Sequence, residues 1–281
     1  MALESIPLFT LIFLRFIISA MVLLILMIHL GMPTFTRREH LKMLLLAFFD
    51  PGLYFIFETI GLKYTSAANA SLIIATVPLA VLVLSMLFLR ERTSLKGIAG
   101  ICLSIIGITI LMAGDPKFAW KLDGHALGDL MVFGAVCTAA LYSIFSRNLG
   151  QSHSALKITA VQFIYGTLFY TPAFLWEFPG LQWAGISIRS WGALAYLTFF
   201  ATIGAFLCYN YALSKLPATR AAIFINGIPV VTAIAAWLLL GEKLTLIQVG
   251  GGALVLFAVG LTNWPNNHRE RRELEQTLPI A

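Results

Sequence analysis

Charge is what this chain has little of. Only 11% of its 281 residues are Asp, Glu, Lys or Arg, against roughly 25% in an ordinary soluble domain, and with a mean hydropathy of +0.87 that scarcity excludes a water-surrounded fold. Cysteine is almost as rare. Cys102, Cys137 and Cys208 sit in three separate apolar stretches without metal-ligand or redox spacing, which excludes a disulfide framework and predicts buried small apolar side chains. The histidines His29, His40, His125, His153 and His268 are far apart at span ends or in loops, so no metal site and no cofactor is expected. Two-residue alternation is missing, which excludes a membrane β-barrel. The formal charge of +6 and pI near 9.3 come from short basic clusters between apolar runs, a pattern of membrane orientation and not of a nucleic-acid partner.

What the chain does have is apolar length. A bilayer core of about 30 Å takes about 20 helical residues to cross, and nine stretches qualify, near 7–30, 41–62, 67–89, 95–113, 127–147, 156–177, 191–213, 218–240 and 245–264. A helix satisfies its own backbone in lipid, so the expected fold class is all-α, a polytopic membrane protein. The loops on one side carry Arg37, Arg38, Lys42, Arg90, Arg92, Lys96, Arg147, Lys157, Lys215, Arg220, Arg269, Arg271 and Arg272. The other side carries Lys63, Lys117, Lys121, Arg189 and Lys243. Cytoplasmic loops retain Lys and Arg, so the C-terminus and the charged tail 265–281 are expected in the cytoplasm.

Sliding the chain against itself by 151 positions superimposes its third quarter on its first without a gap. Pro78 meets Pro229, Glu91 meets Glu242, Ala67 meets Ala218 and Gly100 meets Gly251. Five spans follow residue 127 but only four precede residue 113, so a tenth helix is expected ahead of the first four. Five is odd, and the two halves, 1–113 and 127–264, are then expected to insert upside down relative to each other, as inverted-topology repeats.

The segments "GLKYTSAANASLIIATVPLAVLVLSMLFLRERTSLKGIAGICLSIIGITIL" and "ALSKLPATRAAIFINGIPVVTAIAAWLLLGEKLTLIQVGGGALVLFAVGLT" resemble the duplicated EamA domain of the drug/metabolite transporter superfamily. "PLFTLIFLRF", with Arg15, is similar to the family's second helix, and "GDLMVFGAVCTAALYSIFSRNL" to its sixth. The resemblance covers nearly the whole chain. It implies ten helices in two inverted halves, and movement of small metabolites, often outward, across the bacterial inner membrane.

Polar residues inside the spans are the candidate site. Asp50 falls close to the membrane midplane and Glu58 nearer the outer surface. A continuous helix puts Asp50, Tyr54 and Glu58 in one slowly drifting stripe, which should face protein or a wet cavity. The stripe is expected to line the substrate path, with Asp50 pairing a cationic group or carrying a proton; the alternatives are that Asp50 pairs with Arg15 or caps backbone at the Pro51 kink and that Glu58 sits in interfacial water. Tyr142, Tyr209, Asn210 and Asn226 are the uncharged substrate-binding candidates, while Gln162 and Arg15 read as structural. Pro51, Pro78 and Pro229 each remove a helix hydrogen bond and are candidate hinges. The glycines Gly97, Gly100 and Gly107, and Gly250 to Gly252, read as close helix packing.

The expected function is a secondary transporter of amino acid-like or amine compounds, working by alternating access with a small-molecule substrate and membrane lipid as its partners. A passive channel or a lipid-handling protein is the alternative. An enzyme is not expected, because the spans hold no Ser-His or HExxH arrangement and no second mid-membrane acid beside Asp50.

Overall fold

The computed structural model of the chain describes residues 5–31, 35–115, 126–181, 183–241 and 243–264. Glu242, the loop residues Lys117, Lys121, Asp123 and His125, and the tail 265–281 with His268 and its arginines lie outside these. Among the described residues there is no strand, and nine helical stretches are long and apolar enough to cross a membrane, from Leu8–His29 to Leu246–Asn263.

Five spans are single helices: α1 (Leu8–Leu30), α6 (Leu95–Ala113), α7 (Ala126–Leu149), α8 (Ala155–Glu177) and α13 (Leu246–Asn263). The other four are broken near their middles. α2 (Arg37–Ala47) passes into α3 (Tyr54–Tyr64), α4 (Ala67–Ile74) into α5 (Val77–Leu84), α9 (Ile188–Tyr196) into α10 (Ala205–Lys215), and α11 (Ala218–Ala222) into α12 (Ile228–Leu240). Pro78 and Pro229 stand in the first turns of α5 and α12, where a missing N–H costs least.

Side chains that can cap set the helix starts. Thr36 accepts from the Glu39 N–H, and Glu39 returns a bond to the Thr36 N–H at 2.8 Å, a reciprocal box. Thr245 and Gln248 do the same for α13. Ser94 caps α6 and Ser187 caps α9. Thr36 and Ser187, and likewise Ser94 and Thr245, stand at the 151-residue offset at which the sequence matches itself. Hydroxyls buried mid-span bond back to their own helix, as Thr138 does to Ala135, Ser143 to Ala139 and Ser104 to Ile101. Such polar groups sit in apolar surroundings at little cost.

The chain forms two compact units, each discontinuous in sequence. The first is Met1–Leu53 with Phe145–Ser214, and the second is Tyr54–Ile144 with Lys215–Ala281. In the first, α1 lies along α8. Phe13 stacks on Phe174 at 4.2 Å between ring centres, and Phe16 packs between Phe163 and Tyr170. The start of α1 is clamped by the end of α8: the Glu177 carboxylate accepts from the Thr10 N–H at 2.7 Å, the Thr10 hydroxyl at 2.8 Å and the Phe9 N–H at 3.2 Å. A carboxylate there satisfies orphan donors and complements the positive end of the helix dipole.

In the second unit, α6 and α13 meet along a glycine seam. A Cβ on Gly107 would come within 2.8 Å of Val255 and 3.0 Å of the Gly251 carbonyl, and one on Gly251 would strike the Leu111 backbone. Only a hydrogen fits at these positions. Glu91, which meets Glu242 when the sequence is matched to itself, accepts from the Ala218 N–H at 2.8 Å and so caps α11. Asp129 stands in the first turn of α7 and accepts from the Thr65 hydroxyl.

Two expectations need correction. Cys102 and Cys208 are exposed rather than buried, and Cys137 is half-buried. The surroundings of a span are apolar on its lipid side too, so hydropathy does not tell the two faces apart. Arg220, counted among the loop cations, lies inside α11 with 9% of its surface exposed.

Overpacking the seam tests its role. Gly107→Leu and Gly251→Leu should each lower stability in detergent by about 1–3 kcal/mol, read as a fall in the thermal unfolding midpoint. Gly250→Ala, where an added Cβ meets nothing within 4 Å, should leave the midpoint unchanged or raise it.

Candidate functional site at the broken helices

Pro51 carries no N–H and cannot continue the α2 ladder. The chain responds with more than a kink. Asp50 leaves helical geometry altogether, at φ −145° and ψ 115°, and the peptide bond from Asp50 to Pro51 is cis. A span opened this way exposes carbonyls that lipid cannot solvate, so they must find donors within the protein.

Those donors come from one face of α8. Gln162 donates from Nε2 to the Asp50 carbonyl at 2.8 Å, and the Tyr170 hydroxyl lies 2.7 Å from the Gly52 carbonyl and 3.0 Å from that of Pro51. Between them Gly166 makes room for the proline, since a Cβ there would come within 2.7 Å of Pro51 Cγ. Gln162, Gly166 and Tyr170 are four residues apart in turn, so one stripe of α8 seats the whole break. The network continues inward. Asn210 donates to Gln162 Oε1 at 3.2 Å and to the Thr159 hydroxyl at 2.8 Å, and its own Oδ1 accepts from Ser146. Gln162, Asn210, Thr159 and Ser146 all have no exposed surface.

The second break of this unit lies between α9 and α10, over Leu197–Gly204. Arg15, in the interior of α1, donates from Nε and Nη2 to the Thr202 hydroxyl at 3.0 and 2.9 Å, and Thr202 bonds on to the Leu197 carbonyl at 2.9 Å. Each break is thus met by a long polar side chain from a neighbouring unbroken helix, Gln162 for one and Arg15 for the other. Shifted by 151, the first break, Phe48–Leu53, falls on 199–204, inside the second.

The seven candidate substrate-binding residues divide between the units. Asp50, Tyr209 and Asn210 belong to the first. Asp50 keeps 8% of its surface, Asn210 is fully buried in the network above, and Tyr209 is half-buried on α10. Tyr54, Glu58, Tyr142 and Asn226 belong to the second. Tyr54 donates to Glu58 Oε1 at 3.1 Å across one turn of α3, while Tyr142 is buried on α7. Asn226, at the α11–α12 break, donates to the Ser104 hydroxyl at 2.8 Å and to the Ala75 carbonyl at 3.1 Å. Ala75 closes α4 at the companion break, 151 residues earlier. The Asn226 Oδ1 is buried without a hydrogen-bond partner among the described residues.

The stripe through Asp50, Tyr54 and Glu58 is corrected by this geometry. Tyr54 and Glu58 share a face as expected, but the 100° step does not run through Asp50, because its backbone is extended. Tyr170 went unrecognised in the sequence. The signal that could have found it is the spacing of Gln162, Gly166 and Tyr170 on one face of an otherwise apolar span, a donor above and below a gap for a ring.

A buried carboxylic acid at a helix break, inside a chain of membrane-crossing helices, is an arrangement of transport proteins. The comparisons with known proteins give the family. The EamA-like transporter family matches residues 1–113 and 126–264. The chain is a member of that family. This EamA-family protein is 30% identical over 264 residues to the uncharacterized transporter YetK of Bacillus subtilis, a match covering 92% of this chain and 79% of YetK. It is also 30% identical over 218 residues to an uncharacterized transporter of Archaeoglobus fulgidus, covering 78% and 75% respectively. A protein of known crystal structure, 17% identical, superimposes with a TM-score of 0.78 over 92% of this chain and 89% of its own, which places the fold. The EamA-family chain is a multi-pass membrane transporter.

Removing one donor to the break isolates its contribution. Tyr170→Phe and Gln162→Leu each leave buried carbonyls unpaired, a penalty of about 1–3 kcal/mol. Each should lower the unfolding midpoint of the detergent-purified protein by more than Tyr211→Phe on the exposed side of α10.

Proposed function

We propose that the protein is a secondary transporter that carries amino acid-like or amine compounds outward across the cell inner membrane by alternating access, with Asp50 as its proton- or cation-handling group. The observation that carries this reading is the buried acid at the opened span. Asp50 stands where α2 breaks off, in the middle of an apolar stretch, and an ionisable group there is expensive unless it meets a cation, a proton or water. The break gives the segment a backbone path other than helix, and side chains of α8 hold it. Tyr54, Glu58, Tyr142, Tyr209, Asn210 and Asn226 are the polar groups proposed to orient the ligand. Pro51, Pro78 and Pro229 are the points at which helix ends would swing.

The proposed topology is two inverted halves, 1–113 and 127–264, with the C-terminal tail in the cytoplasm. It is supported by helix caps and breaks that recur at one offset, and by the bias of Lys and Arg toward one set of loops.

Reconstitution into sealed vesicles tests the function. Accumulation of a labelled amine or amino acid against its gradient, raised by an imposed pH gradient, is the expected result, and equilibration alone marks a passive pore. Asp50→Asn should abolish pH-driven accumulation while leaving the unfolding midpoint within a few degrees of the parent. Undiminished accumulation by that variant removes Asp50 from the mechanism.

A further inference from the structure

An apolar groove opens on the surface of the first unit between α2 and α8. It has a volume of about 340 Å³ and is walled by Leu44, Leu45, Phe48, Tyr165 and Phe169. We propose that this groove is a binding site for one anionic phospholipid, with an acyl chain in the groove and the headgroup phosphate held by Arg37 and Arg38.

The argument rests on how α2 arranges charge and grease. At 100° per residue Arg37, Leu41, Leu44 and Phe48 lie within about 60° of one another, and Arg38 stands beside Leu45. All four residues of that stripe are exposed, Leu41 at 58% and Leu44 at 49%. The stripe is therefore basic at its start and apolar along the rest, pointing outward throughout. Arg37 lies about 10 Å of helix rise from Leu44. The headgroup layer of a leaflet is roughly 5–8 Å deep, so a phosphate beside the arginines leaves its acyl chain level with the groove.

Charge complementarity selects the headgroup. The acid of this turn, Glu39, points to the opposite side of α2, where it bonds His153 Nε2 at 2.8 Å and the Thr36 hydroxyl at 2.8 Å. Arg37 and Arg38 have no hydrogen-bond or ion-pair partner among the described residues. His40 Nδ1 lies 3.0 Å from the Tyr165 hydroxyl, so a polar pair roofs the groove where it meets the headgroup layer. An exposed guanidinium pair above an apolar slot matches phosphate above a hydrocarbon chain, as basic patches at the ends of membrane helices do. A zwitterionic lipid offers the same chain but no net charge for the arginines.

Native mass spectrometry and thermal unfolding of the full chain in detergent, with added phosphatidylglycerol or phosphatidylcholine, test the site without any transport readout. Phosphatidylglycerol should stay bound and raise the midpoint by several degrees more than phosphatidylcholine. Arg37→Gln with Arg38→Gln should erase that preference, and Leu44→Trp, which fills the groove, should reduce retention of phosphatidylglycerol at least several-fold. Equal effects of the two lipids, or a preference untouched by the arginine pair, overturn the proposal. So does full stabilisation by glycerol phosphate, which has no acyl chain. A Leu44→Trp variant that changes particle mass by light scattering, with no lipid preference in the parent, makes the face a contact between copies and equally rejects the lipid.

Discussion

A carbonyl inside a bilayer has to be bonded by the protein that carries it, and the first unit is organised around that constraint. Where Asp50 leaves helical geometry ahead of Pro51, the carbonyls of residues 50 to 52 need donors in a place that holds no water. Gln162 and Tyr170 supply them, Gly166 yields space for the ring, and Asn210 holds Gln162 by its other end. Each of these residues makes sense only in terms of the others. The network is polar, yet its hydrogen bonds join one protein group to another, which is what permits it to sit in an apolar interior.

The two breaks of this unit are solved by different chemistry. At the first, neutral side chains donate to backbone oxygen. At the second, a guanidinium donates to the hydroxyl of Thr202, which passes the interaction to the Leu197 carbonyl. Arginine retains its charge at any accessible pH, so the second break always lies beside a positive group, while the first carries a carboxylic acid that can exist in two charge states. Two breaks that overlap at the 151-residue offset are in this way chemically unequal.

Much of this was legible beforehand, and the limits have physical causes. The spans could be placed within a few residues, as 95–113 against Leu95–Ala113 and 156–177 against Ala155–Glu177, because apolar length is a strong signal in lipid. The prolines located three of the four breaks, and the fourth, Leu197–Gly204, contains none. Their form was hidden, since proline reports only which hydrogen bond is missing and not how far the chain departs, so the Asp50 stripe was drawn through a residue that is not helical. Tyr170 was missed because its partners are backbone atoms, which carry no letter in the sequence. The cysteines were misjudged because a side chain in lipid and one in the protein interior have the same hydropathy.

The clamp of Glu177 on the start of α1 joins residues 167 positions apart. A ribosome adding about 5–20 residues per second needs roughly 8–33 s to cover that distance. During that interval α1 is already emerging while the carboxylate that will fasten its first turn has yet to be made, and the α8 face against which Phe13 and Phe16 pack is equally absent. Assembly of the first unit must therefore wait on late synthesis, and until then the nascent α1 has lipid, the insertion machinery and the helices made after it for company.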